Sequence, residues 1–272
     1  MKYIRLIALT LALTLALTLL AGCSIIPFQT PEEQRAALEA AQARKEEAEA
    51  QADPAAALDG NYLLNRALTN SAGVTLATYQ AAFPRFSETG LKAQSFARIN
   101  SYYSGEISGL AQDADSFFHR VKAYYGEDWD IVTDAAADFS VSITYELLNA
   151  PRDYVSIRTD ITVSENGQAE TYPRAQVFLL DNGWKLSLET LLGDNYEKAA
   201  PMLLGDILEW CGDSGIQVTG STDRTLEEFS ENYALTREGF LFYVEPFALN
   251  NKNANRYAIP VRFDNYIGMM GN

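Results

Sequence analysis

Phe139-Ser-Val-Ser-Ile-Thr-Tyr145, followed by Tyr154-Val-Ser-Ile-Arg-Thr-Asp-Ile-Thr-Val163, is the stretch that decides the fold. Apolar and polar residues alternate with period two, so each segment buries one face and wets the other, as paired antiparallel strands do. Asn166-Gly167 then supplies the dipeptide of a tight hairpin turn. Thr171 to Leu180 is the next strand, and Asp181-Asn182-Gly183 turns the chain into Trp184-Lys-Leu186. Strands that follow one another with no helix between them predict an antiparallel meander.

Upstream the period changes. Residues 73–86 look extended, with Val74, Leu76 and Tyr79 in imperfect alternation. From Leu91 to Tyr125, Phe96, Ile99, Tyr103, Ile107, Leu110, Ala114, Phe117, Phe118 and Val121 recur at three and four residues. That spacing predicts one long amphipathic helix whose apolar stripe lies on the sheet, ended by Gly126. Downstream, Ser187 caps a short helical turn, residues 195–211 form a second amphipathic helix, and strands follow at 232–236, 240–244 and 256–263. The expected fold is α+β: an antiparallel meander sheet packed against a long helix and a second helix, behind a helical tether.

The tether and its anchor are read from the N-terminal residues. Lys2 and Arg5 precede an apolar run from Ile7 to Leu19, which meets Leu20-Ala21-Gly22-Cys23. A basic start, a short apolar core and small residues at the end form a secretory signal rather than a spanning helix. The ending resembles a bacterial lipobox, which implies cleavage before Cys23, lipidation of its thiol, and anchorage at the extracytoplasmic face of the cell membrane. Residues 32–52 are dominated by Glu, Ala, Gln, Arg and Lys, strong helix formers with few large apolar side chains. A solvated stalk follows from that composition. The expected divisions are 1–22 signal peptide, 23–57 anchor and tether, 58–135 strand and long helix, and 136–272 the α+β domain.

Charge and cysteine content exclude several classes. Loss of residues 1–22 removes Lys2 and Arg5, so 21 basic residues fall to 19 against 36 acidic ones, a balance of −17. Nucleic acid is therefore not an expected partner. With Cys23 lipidated, Cys211 stands alone and no intrachain disulfide forms, so stability has to come from packing.

Residues 139–270 resemble the extracytoplasmic domain of RsiV-type anti-sigma proteins, also found attached to PdaC-type peptidoglycan deacetylases. The likeness is carried by the strands ending in Tyr154-Val-Ser-Ile and by Val177-Phe-Leu-Leu-Asp-Asn-Gly-Trp-Lys-Leu-Ser-Leu-Glu-Thr-Leu-Leu192. Tyr233-Ala-Leu-Thr-Arg-Glu-Gly-Phe-Leu-Phe-Tyr-Val-Glu-Pro-Phe247 and the helix containing Ser95-Phe-Ala-Arg-Ile-Asn100 extend it. The family's Gly-Gly-Ala-His hairpin is replaced by Ala169-Glu-Thr-Tyr-Pro-Arg-Ala175. The chain carries no sigma-binding segment before its membrane element and no deacetylase domain after the module. The resemblance implies a sensing or binding module, not an enzyme. In one branch of the family the domain binds a lysozyme, a cationic protein, and an acidic chain is compatible with such a partner.

The residues offer little chemistry of other kinds. His119 is the sole histidine, which removes zinc sites built on His pairs and leaves no metal or cofactor expected. Gly212-Asp213-Ser214-Gly215 matches the string around one protease nucleophile, but it follows a helix end where Gly, Asp and Ser are ordinary. Glu127, Asp128, Asp130 and Asp134 lack the alternation and glycine of a calcium loop. Recognition is expected from the loops at 164–174 and 248–256, with Tyr172, Arg174, Asn251 and Lys252 as the candidate contacts. Three readings stay open. The first is a non-catalytic binding or sensing lipoprotein with a protein or peptidoglycan ligand. The second is a cell-envelope hydrolase using a carboxylate pair, and the third is a structural envelope lipoprotein.

Overall fold

The structure, a computed structural model, describes Arg35, Glu39 and residues 53–134, 139–219, 230, 232–245, 249, 256–266 and 268–270. Arg35 and Glu39 are helical and exposed, residues 53–57 form a turn that leads into the first strand, and the rest of the expected 23–57 tether lies outside the described residues, as does Cys23. Residues 50–272 form one compact unit.

A hairpin opens that unit: β1 (Leu58–Thr69) pairs antiparallel with β2 (Thr75–Phe86). The sequence reading placed a strand at the second of these and overlooked the first. In β1 only Leu68 is buried, so the segment carries little of the apolar signal that marks a strand.

The long helix α1 (Ala93–Tyr125) follows, and its stripe is the one expected. Phe96, Ile99, Tyr103, Ala114, Phe117, Phe118 and Val121 are buried against β2 and its neighbours. Phe96 stacks on Phe86 and Tyr103 on Phe83, each pair with ring centroids 5.2 Å apart. Each such side chain contributes roughly 1.5–3 kcal/mol on burial. Gly126 ends the helix at φ 69°, its N–H donating to the Lys122 carbonyl. Asn70, in the β1–β2 turn, donates from Nδ2 to the carbonyls of Val132 at 2.7 Å and Trp129 at 3.3 Å, fixing the segment after the helix.

The sheet continues with β3 (Ser140–Leu148), β4 (Tyr154–Glu165) and β5 (Gln168–Leu179) in the order β1-β2-β3-β4-β5. Asn166 and Gly167 turn β4 into β5 with φ of 56° and 76°, the paired positive values of a primed hairpin turn. The expected all-antiparallel meander is corrected at one place. β2 and β3 run parallel, Thr78–Ala81 beside Ser140–Ile143. The cause is α1 itself: a helix between two neighbouring strands carries the chain back to its starting end, which lays the second strand parallel to the first.

A second correction concerns the number of sheets. β6 (Tyr233–Leu235), β7 (Gly239–Val244) and β8 (Tyr257–Arg262) form a separate three-stranded antiparallel sheet. Before it come α2 (Leu188–Leu192), capped by the Ser187 hydroxyl accepting from Thr190 N–H at 3.1 Å, and α3 (Tyr196–Asp213). Trp184-Lys-Leu186, expected as a further strand, makes a single bridge from Lys185 to Phe178. These elements enclose a second core of Leu188, Leu192, Leu203, Ile207, Phe240, Phe242, Ile259 and Tyr266.

β4 and β5 are shared between the two cores. Val155, Ile157 and Phe178 pack in the first, while Tyr154 and Val177 pack in the second. Two side chains tie the smaller sheet to them. Ser156 Oγ accepts from Leu235 N–H at 3.0 Å. Asn232 accepts from Ala175 N–H at 2.9 Å and donates to the Pro173 carbonyl at 3.1 Å, completing the edge of β5 as a strand would.

Asn100 has the same role at the start of α1. Its amide accepts from Phe86 N–H and donates to the Phe86 carbonyl, both at 2.8 Å, and it is 2% exposed. Replacement by alanine strands a buried N–H and C=O together. Asn100→Ala is expected to cost about 3 kcal/mol of folding stability, read from the midpoint of urea unfolding. A midpoint equal to the parent's would contradict that role.

Candidate functional site

The turn after β5 lies against the first turns of α1, and several bonds fix it there. Ser95 Oγ donates to the Asp181 carbonyl at 3.0 Å, Lys92 Nζ pairs with the Asp181 carboxylate at 3.2 Å, and Arg98 donates to the Asn182 carbonyl at 2.6 Å. Gly183 sits at φ 73°, and a Cβ there would meet the Ser95 carbonyl oxygen at 2.3 Å. Glycine is needed on both counts: for the left-handed backbone and for the close approach.

A cleft of about 470 Å³ opens between the two, lined by Arg98, Ser101 and Tyr102 from α1, Phe178 from β5, and Gly183, Trp184 and Lys185 from the turn. Phe178 is its buried floor, and Trp184 is 59% exposed at its rim. The Arg98 guanidinium lies 4.1 Å from the Trp184 ring centroid, and the Lys185 ammonium 5.6 Å from that of Tyr102. Both rings therefore carry a cation on a π face. Burial, and then the charge of Glu106, push the Tyr102 hydroxyl up to about 12, with Arg174 opposing. Tyr102 is a neutral donor at any ordinary pH.

Among the residues expected to make contacts, Tyr172 and Arg174 lie on β5 and share the face that carries Phe178, since alternate residues of a strand point the same way. Tyr172 donates to the Glu170 carboxylate at 2.7 Å, and the Arg256 guanidinium covers its ring at 3.9 Å. Arg256 also pairs with Glu170 at 3.4 Å and lies 3.8 Å from Glu245. The hydrogen bond from Tyr172 and the pairing with Arg256 hold the Glu170 carboxyl below its usual range. The expected site is thus connected to Arg256, at the end of the 248–256 loop. Asn251 and Lys252 themselves lie outside the described residues.

The cleft was not foreseen. Trp184, Lys185, Arg98 and Tyr102 come from two segments far apart in sequence, and no spacing within either marks them. Other candidates have plain structural roles. Asp130 accepts from the backbone N–H and hydroxyl of Ser71 at 2.9 and 2.6 Å. Ser214 and Gly215 close the end of α3 by bonds to the Trp210 and Gly212 carbonyls. His119 is exposed on α1. Glu146 and Asp160, on adjacent strands, both pair with Arg158, at 3.1 and 2.9 Å. Among the described residues no helix is long and apolar enough to cross a membrane.

The fold, taken apart from the cleft, has counterparts among solved structures. The fold is similar to that of a DUF3298 family member from Bacteroides fragilis. The alignment covers 79% of this chain and 94% of that one, at 17% identity and a TM-score of 0.50. A DUF3298 family protein from Pseudomonas aeruginosa aligns over 81% of this chain and 96% of its own at 11% identity, with a TM-score of 0.45. No family model and no curated protein matches the sequence. DUF3298 denotes a domain family of unknown function, so the likeness is one of architecture.

Two outcomes follow from the geometry. Gly183→Ala forces the turn off α1 and is expected to cost about 3 kcal/mol, seen as a lowered urea midpoint. The second concerns pH. A folded-state Tyr102 at about 12, against 10.0 unfolded, contributes stability below pH 10 that is lost as pH rises toward 12. Tm is expected to fall less steeply across that window in Tyr102→Phe than in the parent. Identical slopes would show that Tyr102 ionises freely in the folded state.

Proposed function

We propose that the chain is a lipid-anchored extracytoplasmic lipoprotein whose folded body is a non-catalytic binding or sensing module of the RsiV-associated type, with a protein or cell-wall ligand. The observation that carries the binding role is the cleft. It is a concavity of ligand size with an apolar floor, an exposed indole and two cations, built on a turn that its neighbours hold in place. Small-molecule and glycan sites share that make-up of apolar lining and a few placed polar groups. The DUF3298-like architecture supports the module reading, and the sequence around Cys23 supports the address. Five of the six hydrogen bonds and ion pairs described around the turn and the Tyr172 cluster involve charged groups, the stronger class for fixing geometry.

Two measurements test this. Metabolic labelling with a fatty-acid probe is expected to mark the parent and not Cys23→Ala, and an unmarked parent would remove the anchor. The purified full chain in neutral detergent is expected to retain a lysozyme or peptidoglycan fragments in a pull-down. Retention of neither would remove the binding role.

A further inference from the structure

The chain is strongly acidic, at −15 overall, yet four of its basic residues lie along or beside β5. Arg98 and Lys185 flank the cleft at one end of β5, Arg174 follows on the same face of that strand, and Arg256 covers Tyr172 at the other end. Aromatic rings alternate with them: Trp184, Tyr102 and Tyr172. From Phe178 to Tyr172 the strand spans about 20 Å. Arg174 is close enough to Tyr102 for its charge to bear on the phenol, which links the two ends of the strip.

The cations differ in how far they are neutralised. Arg256 is held by Glu170 and Glu245. Among the described residues, Arg98, Lys185 and Arg174 pair with no carboxylate, and Arg98 spends one donor on the Asn182 carbonyl. An arginine has five donors, so most of this guanidinium is available. Glu106, whose charge acts on Tyr102, is the acid that tempers this end of the strip.

From this we propose that the strip along β5 binds an acidic glycan, a run of sugar rings bearing carboxylates. This rests on the reading of the chain as a binding module and names the ligand class for its cleft. A sugar ring presents an apolar C–H face to the exposed Trp184 indole, while its carboxylate meets the guanidinium of Arg98 or Arg174 or the ammonium of Lys185 in charge-assisted bonds. An acidic peptide fits less well. Extended peptides commonly bind by adding a strand to a sheet edge. Here Asn232 occupies the β5 edge at Pro173 and Ala175, and Pro173 has no N–H to offer. Recognition is left to side chains, which suits rings.

The test uses the full chain in neutral detergent, with oligogalacturonate as the probe, a neutral chitin oligomer as the uncharged control and poly-glutamate as the acidic peptide control. Calorimetric titration is expected to show oligogalacturonate binding that weakens about tenfold in Arg98→Ala and in Lys185→Gln. Binding should weaken further as salt is raised. Arg98→Ala also loses its bond to the turn. Lys185→Gln therefore carries the decision if the arginine variant melts early, because among the described residues no hydrogen bond or ion pair holds the Lys185 ammonium, which rests only on the Tyr102 ring. Three results overturn the proposal: no oligogalacturonate binding, equal binding of the chitin oligomer or poly-glutamate, or a Lys185→Gln variant that binds as the parent does. Retention of lysozyme or peptidoglycan fragments alongside any of these would leave the broader binding role standing. Loss of all ligands would end both.

Discussion

Two strands of one sheet have to satisfy two separate apolar interiors, and the rest of the molecule is arranged around that demand. A half-buried strand can leave one face polar. β4 cannot: Val155 and Ile157 go to the α1 side, while Tyr154 and Ser156 go to the side of the smaller sheet. The polar residue among them is tolerated because Ser156 Oγ takes up the Leu235 N–H that burial would otherwise strand. Asn232 meets the same need at the β5 edge. The smaller sheet is thus joined to the larger one by side chains standing in for a missing strand.

That arrangement also explains why the concave surface is where it is. Over Ala175 and Val177 one face of β5 is buried toward the smaller sheet and its edge is closed by Asn232, while on the other face Arg174 is exposed and Gln176 is half-buried beside α1. The turn 181–183 rises against α1, and Ser95, Lys92 and Arg98 hold it. Trp184 is carried outward on this turn, so its exposure reflects the backbone beneath it rather than a failure to pack.

The sequence made the period-two strands and the period-3.6 helix plain, because each has a wet face that keeps its polar residues in rhythm. β3, β4, β5 and α1 were read close to their observed limits, as was the capping role of Ser187. The direction of β3 relative to β2 was harder, since it depends on which strands become neighbours, and local pattern is silent on that. β1 escaped notice because Leu63 stands on its exposed face and Arg66 on the half-buried face with Tyr62, Leu64 and Leu68, which blurs the alternation that marks a strand. At the functional surface, Tyr172 was legible as an aromatic in a polar hairpin. The Arg98–Trp184 contact joins residues far apart in sequence, and no pattern within either segment announces it.

The parallel pairing of β2 with β3 has a kinetic side. The hairpins β1–β2 and β4–β5 close over a few residues each. Ala81 meets Ile143 only after the whole of α1 has been spanned. Closing so long a loop carries an entropic cost that contacts formed earlier must offset. The β1–β2 hairpin, the β3–β4–β5 meander and the helix are therefore expected to form first, with their union through β2 and β3 as the later step.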